Sequence, residues 1–312
     1  MESSKPARAA CRWPAAGGFS LIEIMVAVAL LAVIIVGLLA MFYQVQRAFR
    51  AGTAQADILE GGRATMGLLV RDLQDMAPSN FQFDTNCIVE RSQYSPFVSP
   101  TSTQQLPSGN PRNNHLHDIV LLSRVNDDWV AVAYRIGSSP NGVGSLYRLV
   151  AQTNSATLPD VQSNNLNNLF SFARRASPDL DTNLFHRVID GVVSLTITPY
   201  DTNGAPYVQN IPNPPNVSGA TDLYGNTNDN LHVVQNADPS LRYFAFRSNA
   251  LPAYLDIELA VLEPSALTKF RAREEIGAAQ AAEYLARQIG RTHVFRQRVA
   301  IRPAATQIAR QF

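Results

Sequence analysis

From Ile24 through Gln46 the chain carries no charged side chain, 23 residues in a row closed by Arg47. A helix needs about 20 predominantly apolar residues to cross a bilayer. The run is therefore long enough to span a membrane, over about Leu21 to Tyr43, and it is a poor candidate for the core of a compact soluble fold. Just ahead of it stand Gly17-Gly18-Phe19-Ser20-Leu21-Ile22-Glu23, with one carboxylate at the apolar edge. A charge in that position is costly and usually marks a function. An ordinary secretory signal has a shorter apolar core followed by a small-residue cleavage site. Here the core runs on through Leu38-Leu39-Ala40-Met41-Phe42, which is no such site. A plain single-pass anchor accounts for the apolar run but gives Glu23 no task.

The segment Gly-Phe-Ser-Leu-Ile-Glu-Ile followed by an apolar run resembles the N-terminus of type IV prepilins and type II secretion pseudopilins. The resemblance implies that a prepilin peptidase cuts between Gly18 and Phe19, removes residues 1–18 as a leader and methylates the new amino terminus of Phe19. Glu23 then becomes the fifth residue of the mature chain. Its carboxylate can pair with the terminal amine of a neighbouring subunit as the helices stack. An unpaired charge in a low-dielectric setting is expensive, so such a pair fixes axial register. The implied partners are the peptidase, other major and minor (pseudo)pilins, an inner-membrane assembly platform and membrane lipid.

Charge fits that orientation. The leader holds Lys5, Arg8 and Arg12 against Glu2, and basic residues stay on the cytoplasmic side of a membrane segment. The head is then expected in the periplasm or an equivalent space, on a single-pass protein of the inner membrane. The whole chain has a formal net charge of +1. Without the leader, 23 basic side chains face 24 acidic ones. That balance gives no basic surface of the kind nucleic acids select. Of the two cysteines, Cys11 leaves with the leader, and Cys87 alone cannot form an intramolecular disulfide.

Residues 19–77 read as one long helix, apolar first and then amphipathic. Val45, Phe49, Ala56, Leu59, Met66, Leu69, Val70, Leu73 and Met76 recur at helical spacing. Arg47, Arg50, Asp57, Glu60, Arg63, Arg71, Asp72 and Asp75 lie between them as a solvated face, and Pro78 ends the pattern. Gly52, Gly61-Gly62 and Gly67 each cost about 1 kcal/mol against alanine in a helix interior, and Gly61-Gly62 predicts a bend or local melting. The second half has a sheet of its own to pack on, and the first half is left for lipid or neighbouring subunits. Residues 78–312 form the head. Residues 79–113 read as a long loop or a loosely structured insert, and strands are expected over His117–Arg124, Trp129–Ile136 and Ser145–Ala151 as a meander. Further strands are expected at Val193–Thr198, Arg242–Arg247, Ala253–Leu262 and Thr292–Ile301. Residues 152–183 and 210–240 read as polar loops. Pro264 to Ile289 reads as one helix capped by Gly290.

The fold class is thus α+β and pilin-like: a long N-terminal transmembrane helix packed on an antiparallel β-sheet head, with an extra helix near the C-terminus. The strand order, Leu146-Tyr147-Arg148, Asp190-Gly191-Val192, Tyr200-Asp201-Thr202-Asn203-Gly204 and Leu251-Pro252-Ala253-Tyr254 resemble the J-type minor pseudopilins (GspJ/PulJ-like) and PilW-like minor pilins. This resemblance implies a structural minor subunit, with no enzymatic role, in a type II secretion pseudopilus or its tip. A surface-pilus subunit serving assembly priming, adhesion or DNA uptake, and a membrane-tethered enzyme, are the competing readings.

Other clusters are weaker. His115-Leu116-His117-Asp118 lacks a third metal ligand at a persuasive spacing and reads as a solvated strand start. Asp222, Asn226, Asn228, Asp229 and Asn230 are oxygen-rich, as calcium loops are, but fit no defined loop, so no cofactor is assigned. Arg287, Arg291, Arg296, Arg298 and Arg302 read as a solvated face. No nucleophile elbow or phosphate loop is present.

Overall fold

The computed structural model describes residues 20–79, 85–91, 102–125, 128–137, 141–152, 166–204, 206, 220–221, 227–228, 231–234, 243–247 and 250–301. Helix α1 runs from Leu21 to Gln74. The chain divides into two compact units, Met1–Thr53 and Ala54–Phe312. In the first unit the described residues from Leu21 on are the apolar part of α1 alone, exposed at every position from Leu21 to Tyr43. This is the one described helix long and apolar enough to cross a membrane.

In the second unit α1 buries Ile58, Gly62, Thr65, Met66, Leu69, Asp72 and Leu73, a stripe at three- and four-residue spacing. The stripe lies on a nine-stranded antiparallel sheet. Its strands are β1 (Thr85–Arg91), β4 (His117–Val125), β5 (Asp128–Ile136), β6 (Gly144–Gln152), β7 (Phe185–Tyr200), β10 (Leu231–Val234), β11 (Tyr243–Arg247), β12 (Tyr254–Leu262) and β13 (Thr292–Ala300). They lie in the order β10-β11-β1-β4-β5-β6-β7-β12-β13. Two hairpins stand apart, β2 (Ser102–Gln105) with β3 (Pro111–Asn114) and β8 (Ala220–Thr221) with β9 (Thr227–Asn228).

Both faces of the central strands are covered, so β4 and β5 are apolar on alternate and intervening positions alike. Toward α1 they present Ile119, Leu121, Val132 and Tyr134, which join Leu69, Leu73 and Met76 in the main core. Away from it, Val120, Leu122, Ala131 and Ala133 receive Leu166, Leu169, Phe170 and Ala173 of α2 (Leu166–Arg175). A third cluster seats α3 (Pro264–Glu274) and α4 (Ala278–Ala286) on Val193 and Leu262 through Ala266, Phe270, Ala281 and Leu285. Burying one such side chain contributes roughly 1.5–3 kcal/mol. The sheet curls because β7 is shared: its first half pairs with β6 and its second half with β12. At the seam the Leu195 N–H donates to the His115 carbonyl at 2.8 Å.

Several expectations are corrected. The stretch 79–113 is not a plain loop: it supplies β1, inserted between β4 and β11, and the β2–β3 hairpin. Residues 152–183 contain α2. The expected helix Pro264–Ile289 is two helices separated at Gly277, and Gly290 sits in the short 3-10 turn Ile289–Arg291 instead of capping α4. The break lets both pieces press apolar side chains into one cluster. Helix α1 does not melt at Gly61-Gly62. A Cβ on Gly62 would collide with the Phe295 ring, so this glycine is a seat for an aromatic side chain of β13. Ala56 is exposed, and Asp72, expected on the solvated face, is buried.

Candidate functional site

Helix α1 begins with a cap. Ser20 stands just outside the first turn and its Oγ accepts the Glu23 N–H at 3.3 Å, while the Ser20 carbonyl accepts the same N–H at 3.0 Å. Serine at the cap with glutamate three residues on is the pattern of a capping box. Glu23 therefore has a local role that the sequence reading missed: it sits where the helix dipole favours a negative charge. Its carboxylate is exposed and has no ion-pair partner among the described residues. Gly18 and Phe19 lie outside the described residues. Beyond Glu23 the helix presents apolar side chains on all sides, including Leu21, Ile22, Leu30, Val33 and Leu38, each more than half exposed. A helix apolar all round and exposed is built for lipid or for other helices. Its first charges after Glu23 are Arg47 and Arg50.

Two buried charge networks of the head are engaged internally. Asp72, only 6% exposed, accepts the Tyr134 hydroxyl at 2.6 Å and Arg148 Nε at 2.7 Å, which fastens α1 to β5 and β6. Burial first, then the Asp72 carboxylate beside it, pushes the Tyr134 hydroxyl well above its usual range. A second buried cluster sets the Arg135 guanidinium between Asp118, at 3.5 Å, and Glu90, at 3.9 Å. Arg174 of α2 reaches Glu90 at 2.9 Å, so this cluster docks α2 as Asp72 docks α1. These networks position α1 and α2 on the sheet by setting buried charges of opposite sign together.

His115 and His117 are half-buried, and Asp118 is fully buried, which corrects the solvated strand start. His117 Nδ1 accepts the Ile197 N–H at 3.1 Å across the seam. Among the described residues no group of three His, Cys, Asp or Glu side chains could hold a metal ion. Of the oxygen-rich segment 222–230, only the backbone of 227–228 is described, so the calcium reading lies outside the described residues. Three members of the arginine cluster are paired, Arg287 with Glu283 at 2.6 Å, Arg296 Nε with Glu258 at 2.7 Å and Arg298 with Asp256 at 3.4 Å, while Arg291 is exposed with no ion pair among the described residues. Arg298 also lies over the Tyr200 ring at 4.3 Å. Arg302 lies outside the described residues. Cys87 is buried, and burial pushes its thiol far up.

Residues 13–39 match the family model described as the prokaryotic N-terminal methylation motif. The matched span contains Gly18, Phe19, Ser20 and Glu23. It makes this a type IV prepilin-like N-terminus and implies processing by prepilin peptidase and assembly with other pilins. No curated protein and no solved structure matches the chain.

Proposed function

We propose, from the premise of a prepilin-type N-terminus, that the chain is a minor pseudopilin of a type II protein secretion system. The observation that carries the assembly role is Glu23: an exposed carboxylate at the edge of a long uncharged helix, with no ion-pair partner of its own among the described residues. Cleavage after Gly18 puts a positively charged, N-methylated amine on Phe19. The amine of one subunit answers the Glu23 carboxylate of the next as the apolar helices bundle. Before assembly the helix spans the inner membrane once, with the head in the periplasm. The large head, with a nine-stranded sheet and three covering helices among the described residues, suits a subunit present in few copies at a pseudopilus tip.

The test is a deletion strain of the native host, complemented with the wild type or with Glu23→Gln. The reading expects loss of secreted enzymes from the medium in the deletion, rescue by the wild type and no rescue by Glu23→Gln. Normal secretion with loss of surface pili would overturn the secretion assignment in favour of a type IV pilus. Full rescue by Glu23→Gln would remove the assembly role of that carboxylate.

A further inference from the structure

We propose that Tyr43, Arg47 and Arg50 form a binding stripe for the phosphate of anionic phospholipids at the outer face of the membrane, and that this stripe fixes the depth of the anchor. The inference rests on the membrane reading above and adds a ligand to it. The uncharged run from Ile24 to Gln46 spans about 34 Å at 1.5 Å per residue. The hydrocarbon core is about 30 Å thick. With Glu23 at one headgroup layer, Arg47 falls in the other.

The three residues are spaced i, i+4 and i+7, so they lie along one face of α1. All three are exposed, Tyr43 at 67%. Neither guanidinium has an ion pair or a hydrogen-bonding partner among the described residues. The nearest carboxylate along the chain, Asp57, is seven residues past Arg50. Several head arginines are answered by a carboxylate of the same chain, Arg148, Arg287, Arg296 and Arg298 among them, while Arg63, Arg271 and Arg291 are exposed and unpaired among the described residues, like Arg47 and Arg50. What distinguishes Arg47 and Arg50 is their place at the end of the uncharged run beside Tyr43. Two guanidinium groups one turn apart can share a phosphate by charge-assisted hydrogen bonds. Tyr43 places an amphipathic ring at the boundary, and Phe42 and Phe49 flank the stripe as apolar anchors, 57% and 71% exposed. Charge complementarity favours a headgroup of net negative charge over a zwitterion, whose phosphate is already accompanied by its own cation, and the length of the apolar run sets the phosphate at headgroup height. The same stripe resists withdrawal of the helix from the bilayer until the phosphates are released.

The experiment uses the full-length chain with Cys11→Ser and Ala51→Cys, labelled with a fluorophore at the introduced thiol; Cys87 is buried and stays unlabelled. The protein is reconstituted into phosphatidylcholine vesicles with and without about 30% phosphatidylglycerol, and the label is quenched by nitroxides on the headgroup or on the fifth acyl carbon. The inference expects the ratio of headgroup to acyl quenching to change at least twofold with phosphatidylglycerol, and that response to vanish in Arg47→Gln/Arg50→Gln. Arg63→Gln should leave it intact. The same ratio in both lipids, or an unchanged response in the double variant, overturns the inference. Resistance to carbonate extraction separates the two layers: release of the wild type by carbonate refutes the membrane reading, whereas a retained protein with an indifferent depth refutes the lipid stripe alone.

Discussion

Replacing Tyr134 by phenylalanine removes one oxygen from the centre of the head and little volume. That oxygen donates to Asp72 at 2.6 Å, and Tyr134 is fully buried. A hydrogen bond to a charged group contributes roughly 1.5–3 kcal/mol. Asp72 keeps Arg148 at 2.7 Å, so its carboxylate is not orphaned, and the loss should be about 2 kcal/mol. Asp72→Ala is harsher. It strands the Tyr134 hydroxyl in the core and takes from Arg148 the carboxylate it pairs with, at a cost of about 3–5 kcal/mol. The double variant should cost less than the sum of the two, by about the 2 kcal/mol of the shared bond. Urea unfolding of the processed chain in detergent reads all three. In a chain that begins at Phe19, Trp129 in β5 is the only tryptophan and reports on the sheet. A loss below about 0.5 kcal/mol for Tyr134→Phe, or a strictly additive cycle, would refute the claim that this triad fastens α1 to the sheet.

Two glycines of α1 should behave oppositely. Gly62→Ala meets the Phe295 ring and should destabilise the head by about 1–3 kcal/mol, whereas Gly67→Ala meets open space and should stabilise it by about 1 kcal/mol. Thermal unfolding midpoints of the pair decide it. Alkaline pH should weaken the head. The Cys87 thiol and the Tyr134 hydroxyl hold their protons more tightly when folded, from ordinary values of 9.0 and 10.0, so the unfolded chain ionises first. Each contribution is intact below the unfolded value and declines above it by about 1.4 kcal/mol per pH unit. Cys87→Ser should flatten the slope between about pH 9 and 10, and an unchanged slope would sink that assignment.

The parts of the fold legible in the sequence are those whose signals are local. Strands β4 and β5 declare themselves as apolar runs because the sheet there is covered on both faces, while β6 and β12 show by partial alternation, as in Leu255-Asp256-Ile257-Glu258-Leu259. The shape of α1 follows from an uncharged run continued by an amphipathic stripe, and Pro264 does open α3. Strand β1 hides because only Cys87-Ile88-Val89 is apolar within a Ser-, Pro- and Gln-rich stretch; its place depends on β4 and β11, distant in the chain. Helix α2 had a readable pattern, with Leu166, Leu169, Phe170 and Ala173 at i, i+3, i+4 and i+7, masked by the asparagines around it. Asp72 could not be placed from sequence. Its burial is tolerated only because Tyr134 and Arg148 converge on it from two strands. At the N-terminus, Glu23 stood out as a charge beside an apolar run, while the Ser20 cap required the helix start to be seen.

Whether the chain is processed as a prepilin is decided by the intact mass of the protein from membranes of its native host. A prepilin yields a mature chain beginning with N-methyl-Phe19, and an uncleaved precursor when Gly18 is replaced by valine. A wild-type chain that keeps residues 1–18, or one cut beyond Ala40, would contradict prepilin processing and leave α1 as an ordinary anchor.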